Sequence, residues 1–210
     1  MRAALIWLLT ALPLAAEGER AGDFDYFVMA LSWSPNWCVL EGDARRSPQC
    51  DPAEDHGWIL HGLWPQFERG YPSYCKTAER PPSRRMTAEM ADIMGTGGLA
   101  WHQWKKHGTC TAYSAEEYYG LSREAYARIT RPAVFRKLEK AVRLPAAVVE
   151  EAFLRDNPGL TPEMITITCR EGHIQEARIC LTKDRLEPRA CGADVLRDCT
   201  AKDAVFSPIR

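Results

Sequence analysis

The 210-residue sequence lacks most of the short signatures that announce a chemistry on their own. No CxxC pair and no HExxH motif occur, so the usual zinc-ligand spacings are missing. There is no GxSxG elbow for a serine hydrolase and no Walker loop to cradle nucleotide phosphates. Charge of one sign is missing too: 27 Lys and Arg stand against 28 Asp and Glu, a formal net charge of −1. Losing Arg2 with a leader makes it about −2, which excludes the global basic field of a tight nucleic-acid binder. Any contact with a polyanion must rest on a few local cations such as Lys105 and Lys106. No linker, repeat or low-complexity tract divides the chain, and histidine is scarce, with five in all.

What is present begins with an apolar run, Ala3 to Ala16, after Met1-Arg2. It is too short to span a bilayer and reads as a signal peptide, with Ala15, Ala16 and Gly18 placing cleavage near Ala16. Residues 17–210 are then expected to form one domain, secreted or periplasmic, without membrane association after the leader is removed. All eight cysteines (Cys38, Cys50, Cys75, Cys110, Cys169, Cys180, Cys191 and Cys199) follow the leader, and an even count in an exported chain favours disulfides over a metal. Four fall within the last 42 residues, where Cys169–Cys199 and Cys180–Cys191 are the pairs expected.

The pattern of elements indicates an α+β fold with a mainly antiparallel central sheet. Phe24 to Trp33 is apolar on both faces, as in a buried central strand, and Trp58 to Leu63 is a short strand carrying His61. Helices are expected over Met86–Met94, Leu99–His107, a capping-box helix from Ser114 to about Ile129, one from Pro132 to Leu138, and Ala146–Arg155. Met164–Cys169 and Ile174–Leu181 around Glu171-Gly172 read as a hairpin.

Three of the five histidines lie in two stretches, Trp58-Ile59-Leu60-His61-Gly62-Leu63-Trp64-Pro65-Gln66 and Trp101-His102-Gln103-Trp104-Lys105-Lys106-His107-Gly108-Thr109-Cys110. At about 100° per residue, His102, Gln103, Lys106 and His107 share one helical arc of roughly 140°, with Trp101 and Trp104 turned toward the core. A polar helix face is ordinarily just solvated surface. Here Gly108 and Cys110 stop the helix at His107 and pin its end with a disulfide, which favours a site. His102 and His107 are five apart and miss the i, i+4 geometry of a zinc pair, so acid–base work by histidines remains.

These residues resemble the ribonuclease T(2) family of exported, metal-independent endoribonucleases. The resemblance runs from Phe24-Asp25-Tyr26-Phe27 and Leu31-Ser32-Trp33-Ser34-Pro35, through HGLWP and KHGTC, to the cysteine-rich C-terminal strands. It implies a disulfide-stapled α+β domain, needing no cofactor and acting as a monomer, that cleaves single-stranded RNA but not DNA through a 2′,3′-cyclic phosphate. By the same analogy His107 is the base and His61 the acid, two labels that could be exchanged. His102 binds phosphate and Lys106 stabilises the phosphorane. Trp64 stacks a base with little specificity beside Tyr71 and Gln66, against the plainer reading of Trp64 as core. His56 and His173 match no catalytic position and are expected in loops.

One residue departs from the pattern. Many members carry an acidic residue between the histidine and the tryptophan of the second motif, where this chain has Gln103. An amide there can donate to a phosphate oxygen but cannot act as an acid or base. A working enzyme is expected; the rivals are an RNA-binding or signalling protein that has lost turnover through Gln103, and a secreted disulfide domain unrelated to RNA.

Overall fold

Tyr26–Trp33 forms β1, a strand with all but one of its eight side chains buried. The computed structural model describes residues 19–210, so the leader expected over residues 1–16 lies outside the described residues. β1 is followed by α1 (Ser34–Trp37) and then β2 (Trp58–Gln66). Next come α2 (Arg84–Glu89), α3 (Ala91–Met94), α4 (Gly97–Lys106) and α5 (Ala115–Arg128). The chain finishes with β3 (Val142–Leu144), α6 (Ala146–Asp156), β4 (Ile165–Arg170), β5 (His173–Thr182) and β6 (Ala204–Phe206).

The fold is α+β. β1 sits between β2 and β5 and pairs antiparallel with both, while β4 pairs antiparallel with β5. The β3–β6 pair joins through a single parallel bridge, His173↔Val205. Strand alternation divides the sheet into two faces. Phe27, Met29, Leu31 and Trp33 of β1 enter the main core with Leu60 and Leu63 of β2 and Ala177, Ile179 and Leu181 of β5. Tyr26, Val28 and Cys180 point the other way and pack with Val195 and Trp64.

Most expected elements form where the pattern put them. Ser114 caps α5 with a reciprocal capping box to Glu117. Glu171 and Gly172 turn the β4–β5 hairpin with φ of 49° and 74°, the left-handed conformation that a two-residue turn matching strand twist requires. The segment expected as one helix over 86–94 is instead two, because Met90 breaks the first run and buries its side chain in the core. The helix expected from Pro132 is a five-residue 3₁₀ turn, Ala133–Lys137. Only Phe135 of that segment is buried, so little packing rewards a longer helix.

Four disulfides join Cys38–Cys50, Cys75–Cys110, Cys169–Cys199 and Cys180–Cys191, the last two as expected. No described helix is long and apolar enough to cross a membrane.

Candidate active site

His61 reaches its place through a defect in the sheet. Leu31 of β1 pairs with Leu60 and Ala30 pairs with Gly62, so His61 is an extra residue bulged out of β2. Leu60 and Leu63 both face the core, and the bulge absorbs the change of phase. The side chain of His61 thereby turns to the face that carries Glu176, whose partner on β1 is Ser32. Its Nδ1 lies 2.5 Å from Glu176 Oε1.

His107 is held by different means. Thr96 caps α4 by accepting from Leu99 N, and the helix ends after Lys106 with His107 at φ −121°, outside helical geometry. The Cys75–Cys110 bridge ties down the turn that follows. Gly108 is required there, since a Cβ would come within 2.4 Å of the Trp104 ring. Trp104 is in the core as expected, but Trp101 is 37% exposed, a correction to the expectation that both rings are buried. The two differ by three positions, close to but not on one line of a helix, and only Trp104 meets the second layer at Tyr118.

Trp64 lies between the two histidines. Its indole stacks on His107 at 5.3 Å between ring centres and 24° between planes, and meets the His61 ring edge-on at 5.4 Å. Trp64 Nε1 donates to Gln103 Oε1 over 2.8 Å. Gln103 is 1% exposed, so the plainer alternative of a solvated helix face does not hold for it; it braces the indole. Gly62 makes room for this brace, because a Cβ would sit 2.2 Å from Gln103 Oε1 and 2.4 Å from Trp64 Nε1.

All eight residues singled out from the sequence line one cleft of about 460 Å³: the histidines 61, 102 and 107, then Trp64, Gln66, Tyr71, Gln103 and Lys106. Gln66 is buried and Tyr71 is half exposed, with the Lys106 ammonium 5.9 Å from the centre of its ring. A second hollow, of about 890 Å³, shares His61 and His102 with the first, so a groove continues past them on both sides. His56 lies before β2 as expected of a loop residue, whereas His173 opens β5; neither lines the cleft.

Two residues of this cleft were not foreseen from the sequence. Glu176, 1% exposed, gives one oxygen to His61 and receives Arg178 Nε on the other at 2.8 Å. Arg178 in turn places its guanidinium 5.4 Å from the centre of the Trp64 ring. The available signal was the alternation Glu176, Arg178 along a strand whose intervening residues are apolar, which puts opposite charges on one face.

The electrostatics of the cleft favour the neutral form of His107. Burial, then the positive charges of Lys106, His61 and His102, push the His107 imidazolium down to about 3. His107 Nδ1 is buried without a hydrogen-bond partner. His102 is also lowered, by burial and then by Lys106, Lys105 and His61. Burial would raise Glu176, but the hydrogen bond and charge of His61, together with Arg178, overcome it and hold the carboxyl at about 2. Among the described residues no group of His, Cys, Asp and Glu is arranged to hold a metal ion.

Relatives share both sequence and fold. A ribonuclease from Aeromonas hydrophila is 42% identical over 116 residues, 55% of this chain and 50% of that protein. A probable ribonuclease from Haemophilus influenzae is 31% identical over 120 residues, 51% of this chain and 44% of that protein. The chain thus spans about half the length of the curated relatives it matches. Among solved structures, RNase NT in complex with 5′-AMP superposes with a TM-score of 0.66 at 20% identity, covering 89% of this chain and 99% of that one. Trichomaglin, an S-like ribonuclease, gives 0.66 at 19% identity over 90% and 100%. The model of the Ribonuclease T2 family matches residues 24–191, spanning β1 to β5 and both histidine motifs, and the chain belongs to that family.

Proposed function

We propose that the protein is an endoribonuclease that cleaves single-stranded RNA by transphosphorylation, without a metal. The observation that carries this reading is the pair of imidazoles, His61 and His107, set on two sides of one indole in a cleft that also holds Lys106 and His102. RNA supplies its own nucleophile, since the ribose 2′-hydroxyl is already held beside the phosphorus. The protein need only move two protons and stabilise the crowded phosphorane.

His107, neutral at any pH well above about 3, takes the proton of the 2′-hydroxyl. The 2′-oxygen then bonds to phosphorus while the bond from phosphorus to the 5′-oxygen breaks. His61, entering protonated, gives its proton to that departing oxygen and leaves a 2′,3′-cyclic phosphate. Hydrolysis of the cyclic ester by water, with the two roles reversed, ends at a 3′-phosphate. Lys106 places positive charge, and His102 a ring N–H donor, toward the phosphate oxygens, and Trp64, Gln66 and Tyr71 offer a base site built on ring faces, which accepts bases with little discrimination. The rival reading of a retired enzyme rested on Gln103, and bracing Trp64 gives that residue a role that needs no charge.

The domain is expected to run from residue 17 to 210, to act as a monomer on RNA and not DNA, and to be exported to the periplasm or medium. Four disulfides favour an oxidising compartment. The test is digestion of single-stranded RNA and DNA of one sequence in EDTA, with product ends resolved by mass spectrometry. Cyclic phosphate maturing to 3′-phosphate on RNA, with DNA intact, is the expected result; 5′-phosphate ends or dependence on added metal would refute the mechanism.

A further inference from the structure

His61 is tied to a buried carboxylate that the reaction as described does not use. Glu176 comes from β5, across β1 from His61, and neither of its oxygens is idle. Oε1 is bonded to His61 Nδ1, and Oε2 is held by Arg178 through both Nε at 2.8 Å and Nη2 at 2.7 Å. A buried carboxylate is costly unless it is paired and hydrogen-bonded, and here both conditions are met. Held between two partners, it cannot rotate away from the imidazole.

The geometry has a chemical consequence for the ring. An ionised carboxylate only accepts hydrogen bonds, so the nitrogen facing it must carry the proton. His61 in its neutral state is therefore the Nδ1–H tautomer, and Nε2 is the nitrogen left for the cleft that the ring lines. Before cleavage both nitrogens carry protons. After Nε2 has given its proton to the 5′-oxygen, the product is the tautomer that Glu176 stabilises, and Nε2 is ready to accept a proton from water in the hydrolytic step. A histidine held by a buried acid in this way is a known device of acid–base catalysis on unrelated folds.

We propose that Glu176 is a positioning residue for RNA cleavage, fixing the tautomer and orientation of His61 from beneath, with Arg178 holding the carboxylate in turn. This rests on reading the cleft as a ribonuclease site. Gln103 has removed the carboxylate that the family pattern places on α4, so Glu176 is the acid in contact with a cleft histidine among the described residues.

The test combines a spectroscopic and a kinetic arm. In the wild type at about pH 9, where histidine is neutral, the ¹⁵N shifts of His61 should show Nδ1 protonated and Nε2 bare. Glu176→Ala should release the ring to a tautomer mixture and lower kcat by about 10²-fold, inside the range that a general acid contributes, with KM changed less than about 2-fold. Glu176→Gln keeps the shape but has one acceptor oxygen, which the donor-only Arg178 claims, so its amide NH2 faces His61 Nδ1 and should force the opposite tautomer, with kcat lowered at least as far as in Glu176→Ala. The glutamine variant also carries the kinetic arm if the alanine variant does not fold. Protonation of Nε2 in the neutral wild-type ring, or an unchanged kcat per folded molecule in both variants, would overturn the proposal. A wild type with the expected tautomer but no cleavage of RNA would instead overturn the functional reading, leaving the His61–Glu176 pairing standing.

Discussion

The depressed basicity of His107 predicts an enzyme that keeps its base active in acid. An imidazole of ordinary pKa, about 6.5, is about 3% neutral at pH 5, whereas one at about 3 is about 99% neutral. If an ordinary histidine were the base, kcat/KM would fall roughly 25-fold between pH 7 and pH 5 through that group alone. With His107 as found, this group causes no fall over that range. Because kcat/KM reports the free enzyme, the state described here is the relevant one. The perturbation that isolates the cause is Trp64→Ala, which strips the stacked indole from His107 and lets water reach it. The acid limb of kcat/KM should then rise by at least about one pH unit, about 1.4 kcal/mol of recovered solvation for the imidazolium. The assay is initial-rate cleavage of a dinucleotide in buffers of constant ionic strength, with folding followed by circular dichroism. That control is needed because the unfolded chain protonates this ring below about 6.5 and the native state does not until about 3, so stability falls as pH falls through that window. A wild-type acid limb at about 6.5, or one that Trp64→Ala leaves in place, would refute the reasoning.

Three further outcomes are expected. Gln103→Glu keeps an acceptor for Trp64 Nε1 but puts an anion beside His107 and Lys106, so the acid limb should move toward neutral pH with turnover retained; an unchanged pH–rate profile would count against the placement of residue 103. Gly62→Ala drives a Cβ into the Trp64–Gln103 pair and should cost about 1–3 kcal/mol in urea unfolding while raising KM, and a variant as stable as the wild type would show that the pair is not tight. Replacing Cys75 and Cys110 together by alanine opens a loop with a sequence separation of 35 and should remove about 4 kcal/mol, lowering Tm by about 10 °C in a thermal melt.

Much of this site could be read in the chain because its parts are local. HGLWP lies on one strand and KHGTC on the end of one helix and the turn that follows it, so the stop at Gly108 and the bridged Cys110 announce the place of His107 within ten residues, although the partner cysteine, Cys75, lies 35 positions away. The strand pattern around Glu171-Gly172 likewise contains its own turn. What escaped depends on pairing between distant segments. The bulge at His61 exists only in the register of β2 against β1, and Glu176 meets His61 only because β5 lies on the other side of β1. A helical wheel ranks Gln103 with the polar residues beside it, and only the strand packed above α4 reveals that the amide is buried against Trp64. The exposure of Trp101 has the same origin, since the wheel cannot say how wide a stripe the neighbouring layer covers.

The central claim is the division of labour between His61 and His107, and the measurement that tests it most directly uses a dinucleotide whose leaving 5′-oxygen is replaced by sulfur. A thiolate, whose conjugate acid has a pKa of about 8.5 in a free thiol, leaves without a proton donor. On ordinary RNA both His61→Ala and His107→Ala should lose about 10²–10⁴-fold in kcat. On the sulfur substrate His61→Ala should recover nearly to the wild-type rate while His107→Ala stays impaired. Recovery of His107→Ala in place of His61→Ala would reverse the assignment, and equal loss in both variants on both substrates would contradict acid–base catalysis by this pair.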